Sequence, residues 1–108
     1  MKNFIQLGET VTLVAPYTVV SGAGLLVGAV FGVASLDATS GAAVEAALEG
    51  VFDLPKASGA ISQGAKVYWD NSAKNLTTTS SSNTLVGVAV VAALSGDALV
   101  RVRLNGSF

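Results

Sequence analysis

Apolar residues in this chain recur at every second position, and that period is the strongest constraint on what it can fold into. Near the C-terminus Val100, Val102 and Leu104 alternate with Arg101 and Arg103. Successive side chains of a strand point to opposite faces, so the first set meets a core and the arginines meet solvent. Val11 and Leu13 alternate with Thr10, Thr12 and Val14 less cleanly. Lys66-Val67-Tyr68-Trp69-Asp70 is rich in strand formers and runs into Asp70-Asn71, a turn signal. Leu76-Thr77-Thr78-Thr79 is then the partner strand of a hairpin, and the Ser/Thr run up to Thr84 is a loop.

Two stretches are apolar on both faces, Gly24 to Ala34 and Leu85 to Leu94. Strands buried on both sides read this way, and so do strands whose outer face meets another subunit. The segment from Ala42 to Glu49 suits an amphipathic helix, with Val44 and Leu48 four apart. It also alternates, and the alternation continues through Phe52 and Leu54 against Asp53. A single strand from about Ala43 to Leu54, kinked at Gly50 and ended by Pro55, is the preferred reading. A short helical turn is expected between Ala57 and Gln63. Twelve glycines spread along the chain add frequent turns. The fold class expected is therefore all-β: a small β-barrel or sandwich of short strands with at most one short helical turn. At 108 residues, a single domain over 1–108 is expected.

Charge is scarce. Charged residues make up 12% of the chain, against roughly 25% in an average soluble protein, and the mean hydropathy is +0.61. Such a chain cannot cover its surface with charge, so some of that surface is expected to be hidden against other subunits. The net charge is −1 and no basic run occurs, so no nucleic-acid partner is expected. From Thr10 to Leu36 no residue is charged, but the purely apolar part, Ala23 to Ala34, is shorter than the roughly 18–20 residues of a spanning helix. Glu9 and Thr10 fall where a signal peptide would be apolar. Neither a membrane span nor a signal peptide is expected.

Reactive chemistry has few candidates. The chain has no cysteine and no histidine, which removes thiolate chemistry, the usual general base near neutral pH and the commonest metal ligand. Ser21-Gly22-Ala23-Gly24 through Gly28 reads G-x-G-x-x-x-G and misses the dinucleotide spacing. Gly64-Ala65-Lys66 is the nearest approach to a phosphate loop, which needs a Gly-Lys pair that occurs nowhere. Glu45 and Glu49 form a close carboxylate pair on one solvated face. Arg101 and Arg103 make a small positive stripe that can reach Glu45 or Glu49 across strands, or a partner. Tyr68 and Trp69 face opposite sides of their strand, one toward the core and one toward a surface where it can anchor an interface. No catalytic, cofactor-binding or metal-binding residue is assigned, no cofactor is expected, and the chain is read as a non-enzyme.

The ordered series of motifs resembles a family of phage and prophage capsid cement, or decoration, proteins. It begins with Met1-Lys2-Asn3-Phe4-Ile5-Gln6-Leu7-Gly8-Glu9-Thr10-Val11 and continues through Ser21-Gly22-Ala23-Gly24 and Val27 to Ala34. Glu49 to Lys56, Val67-Tyr68-Trp69-Asp70, Leu85 to Ala89 and Val100 to Gly106 complete it. Members of that family are often mislabelled as RecA/RadA-like recombinases, a label the missing phosphate loop excludes here. The resemblance implies a β-rich virion protein on the outer capsid surface, made in the host bacterial cytoplasm. It implies the major capsid protein as partner, and a homo-oligomer in which a trimer is favoured over a dimer. It carries no catalytic residues. The alternative is another phage structural β-module, of the tail or the head–tail junction. Residues 1–7 are apolar with one charge, and Lys2, Asn3, Phe4 and Ile5 are expected to form an arm that reaches a neighbour or extends its sheet. Trp69, Arg101 and Arg103 complete the expected interface.

Overall fold

The computed structural model describes residues 10–105. Nine strands form two antiparallel sheets, and no helix occurs among the described residues. In chain order the strands are β1 (Thr10–Val14), β2 (Gly24–Val27), β3 (Val30–Ala34), β4 (Ala43–Ala47), β5 (Glu49–Pro55), β6 (Lys66–Asp70), β7 (Asn75–Thr77), β8 (Thr84–Ala89) and β9 (Leu99–Asn105). The first sheet has the order β1-β4-β3-β2 and the second β5-β9-β8-β6-β7. The all-β expectation is met.

The alternation from Ala43 to Leu54 holds, but it belongs to two strands rather than one. β4 pairs with β1 and β3, β5 pairs with β9, and Leu48 alone links them. Beyond Leu48, Gly50 takes φ +119°, a conformation that L side chains rarely adopt. The period survives the crossing: Val44, Ala46, Leu48 and Leu54 are all buried. The helical alternative fails because both halves gain ladder partners in different sheets. The helical turn expected within Ala57–Gln63 is also absent; Ile61 instead bridges Ala93, with hydrogen bonds of 2.9 and 2.8 Å.

The expected hairpin of β6 and β7 forms, and β2 and β3 make a second one that the sequence reading did not name. β2 and β3 turn through Gly28-Ala29, where Gly28 has φ +59°, the glycine-first form of a two-residue hairpin turn. β6 and β7 turn after Asp70, whose Oδ1 accepts the backbone N–H groups of Ser72 (3.0 Å) and Ala73 (3.1 Å). The second sheet curls: a parallel bridge joins Lys56 to Leu76, bringing the end of β5 against β7. Lys56 is the one buried charged residue among those described. Its Nζ donates to the carbonyls of Ala57 (2.9 Å) and Ser95 (3.3 Å), tying the end of β5 to the loop before β9.

Two cores result. The larger lies between the sheets and contains Phe31 and Val33 from β3 with Leu54, Val67, Trp69, Leu76, Val86, Val100, Val102 and Leu104. The smaller lies on the other face of the first sheet and contains Leu25, Ala34, Val44 and Ala46 under Ala15 and Val19. β3 feeds both, so the doubly apolar run it carries is buried on both sides. The second such run behaves differently. Val86, Ala89 and Ala93 are buried, whereas Leu85, Val91 and Leu94 are exposed.

Candidate interaction surface

The outer face of the second sheet presents several apolar side chains to solvent. Its strands place Glu49, Val51, Asp53 and Pro55 of β5 beside Asn105, Arg103, Arg101 and Leu99 of β9. One row crosses four strands: Val51 opposes Arg103, Arg103 opposes Val88, and Val88 opposes Lys66. Val51 is 54% exposed, Leu99 51% and Leu85 40%. Val91 and Leu94, in the loop that leads to β9, are exposed as well, and Val91 lines a shallow depression with Leu99. Exposed single apolar residues are ordinary, but several on one sheet face and its adjoining loop make that face the candidate surface.

A pairing irregularity shapes this face. Val67 opposes Gly87 while Tyr68 opposes Leu85, so β8 uses two steps where β6 uses one. Such a bulge re-aims the strand. Gly87 sits within it, and a Cβ there would lie 2.1 Å from the Arg103 carbonyl oxygen. Only glycine lets β8 and β9 approach this closely.

Arg101 and Asp53 are cross-strand partners in register. Nε donates to Oδ1 at 3.0 Å and Nη2 to Oδ2 at 3.2 Å, a two-pronged ion pair that lies half exposed. The hydrogen bond from Arg101, reinforced by its charge, holds the Asp53 carboxyl below its ordinary value and pushes the guanidinium up. The cross-strand contact expected for the arginines is therefore made to Asp53, not to Glu45 or Glu49. Glu45 lies in the other sheet, where Thr12 donates to it, and Glu49 opposes Asn105. Arg103 is exposed between Val51 and Val88.

Of the adjacent aromatics, Trp69 is the core member, 2% exposed, and Tyr68 is half-buried on the outer face. The Trp69 ring centroid lies 5.0 Å from that of Phe31, tilted by 49°, and Nε1 donates to Asn71 Oδ1 at 3.1 Å. A side chain so enclosed presents almost no area of its own to a partner. It forms part of a groove of about 540 Å³ whose lining also includes Tyr17, Val20, Pro55, Lys74 and Leu99. In that groove Lys74 Nζ stands 4.1 Å over the Tyr17 ring, and the Tyr17 hydroxyl donates to the Gly24 carbonyl at 2.9 Å. Lys2, Asn3, Phe4 and Ile5 lie outside the described residues. No cluster of carboxylates able to hold a metal occurs among the described residues.

Sequence reasoning missed Val51 and Leu99. A signal was present: both share the parity of charged neighbours, Val51 with Glu49 and Asp53, Leu99 with Arg101 and Arg103. An apolar residue on the polar parity of a strand is a surface residue, and two on adjoining strands make an apolar surface candidate.

The family model described as phage cement protein matches residues 5–104. No curated protein and no solved structure matches the chain.

Proposed function

The chain belongs to the phage cement protein family, and from that premise we propose that it binds the outer surface of a phage head and stabilises contacts between major capsid proteins. The role is structural and non-catalytic. The observation that carries this reading is the outer face of the second sheet, where Val51, Leu85 and Leu99 are exposed on paired strands. The backbone that carries them is already fixed by strand pairing, so covering them costs side-chain freedom but no loop ordering. A lattice presents many copies of one site, and weak individual contacts add up when copies are joined. The oligomer is a trimer, with the arm of residues 1–7, including Lys2, Asn3, Phe4 and Ile5, reaching a neighbour. Arg101 and Arg103 belong to the contact face; Trp69 supports the groove from within. The 108 residues act as one domain, made in the host bacterial cytoplasm and carried on the virion exterior.

Cosedimentation of the purified protein with heads of the encoding phage, before and after expansion, tests this. Saturable binding to expanded heads, with added resistance to heat or low ionic strength, is expected and yields the copy number. Absence of binding to either form refutes it and moves the assignment to a tail or head–tail module. Deleting residues 1–7 without loss of binding removes the arm from the scheme.

A further inference from the structure

The chain has six basic residues, and the structure accounts for most of the described ones. Lys56 is buried against two carbonyls. Lys74 Nζ donates to Asn71 Oδ1 at 3.0 Å and covers Tyr17. Arg101 holds Asp53. Lys2 lies outside the described residues. Lys66 and Arg103 remain, both exposed, with no side-chain hydrogen bond or ion pair among the described residues.

These two cations share a site. Lys66 on β6 and Arg103 on β9 oppose Val88 of β8 from either side. Two interstrand spacings separate their backbones, about 10 Å, and both side chains are long enough to converge on a group seated above Val88. With Leu85 and Gly87 they line an open pocket of about 140 Å³. On a chain with so few charges, two cations without an ion-pair partner among the described residues, on either side of an aliphatic floor, set the sign of the partner. Potentials across a specific interface are complementary.

We infer that Lys66 and Arg103, with Leu85 and Val88, form a docking site for an acidic segment of the major capsid protein, a carboxylate between the two cations and aliphatic side chains on the floor. Arg103 offers the two-pronged geometry a carboxylate fits, and Lys66 a point charge beside it. The assignment rests on the proposed capsid-binding role and names the chemistry of its partner. Nucleic acid fits less well, because phosphate recognition draws on many cations and this face has two unpaired ones among the described residues.

The test is equilibrium binding of wild-type protein, the neutral variant K66Q/R103Q and the reversed variant K66E/R103E to expanded heads stripped of the protein. Both positions are exposed on paired strands, and an unchanged urea midpoint verifies that each variant is folded. Neutralisation is expected to weaken binding by about fivefold to tenfold, and reversal by about 100-fold, because like charges facing one another at an interface are strongly unfavourable. Added salt is expected to weaken the wild type and to leave the neutral variant nearly unaffected. Wild-type binding that both variants match overturns the inference and leaves the capsid-binding role standing. Variants that lose self-association but keep head affinity overturn it in favour of a second copy of this chain. Failure of the wild type to bind overturns both together.

Discussion

Replacing Gly87 by alanine separates a packing requirement from a mere preference. The added Cβ would stand 2.1 Å from the Arg103 carbonyl oxygen, 2.9 Å from the carbonyl carbon and 3.1 Å from Val102 Cγ2. The first two atoms are backbone, so no rotamer change relieves the clash. β9 has to retreat by about 1 Å, enough to stretch hydrogen bonds of about 2.9 Å beyond useful length. The β8–β9 ladder is short: Gly87 pairs with Leu104, Val88 with Arg103 and Ala89 with Val102. Losing two of its hydrogen bonds costs about 1 kcal/mol each, and the overpacking about 1–3 kcal/mol more. The expected loss is roughly 3–5 kcal/mol, out of about 5–15 kcal/mol for a domain of this size. Urea unfolding followed by tryptophan fluorescence measures it directly, because Trp69 is the chain's single tryptophan and is buried. With a slope of about 1–3 kcal/mol per molar urea, the midpoint falls by at least about 1 M. Gly96→Ala is the control: nothing lies within 4 Å of its Cβ, and the expected change is within about 0.5 kcal/mol. Equal midpoints for G87A and G96A refute the reasoning.

Three further outcomes are expected. Trp69→Ala removes the largest fully buried side chain and its contact with Phe31; thermal unfolding by circular dichroism should report a loss of about 3–5 kcal/mol, and a loss below 1 kcal/mol would place the ring outside the core. The Asp53 carboxyl is held low by Arg101, so the stability it contributes is present above the ordinary value of 3.8 and fades as pH falls through its lower folded value; Asp53→Asn flattens that acid limb in urea midpoints taken against pH, and an unaltered limb contradicts the assignment. Burial raises the Tyr17 phenol above 10.0, against a smaller lowering from a backbone hydrogen bond at Leu26; stability from this group is complete below that value and lost as pH rises through the folded one, so ultraviolet titration should show a late phenolate step that Tyr17→Phe removes.

Part of this fold was legible because alternation is local. The hairpin at Asp70-Asn71 carries strand formers on one side and a turn-forming carboxylate at its corner, and both signals lie within ten neighbouring positions. The two-faced run in β3 was equally legible as apolar, but its meaning was not. Phe31 and Val33 reach one core and Ala34 the other, whereas the similar run from Leu85 exposes Leu85, Val91 and Leu94. Nothing within either run distinguishes them; what lies across each face does. The candidate surface was legible only in outline. Arg101 and Arg103 announced an outward face, but their different fates depend on β5. Asp53 stands opposite Arg101 and Val51 opposite Arg103, pairings made 48 residues apart in the case of the ion pair.

The amino-acid sequence by itself determined the all-β class, the strand parities, the Asp70-Asn71 turn and the exclusion of cysteine and histidine chemistry. Each of these follows from a residue's own type or from neighbours a few positions away, through the alternation of side chains along an extended backbone. Tertiary structure alone decided that the chain changes sheets at Leu48, that Trp69 rather than Tyr68 enters the core, and that Lys66 and Arg103 are left facing one another across Val88. Those outcomes depend on which strands lie side by side and in what register, and a shift of one residue would turn every side chain of a strand to its other face. Register is selected by the burial of both cores together, a condition no local stretch of this chain contains.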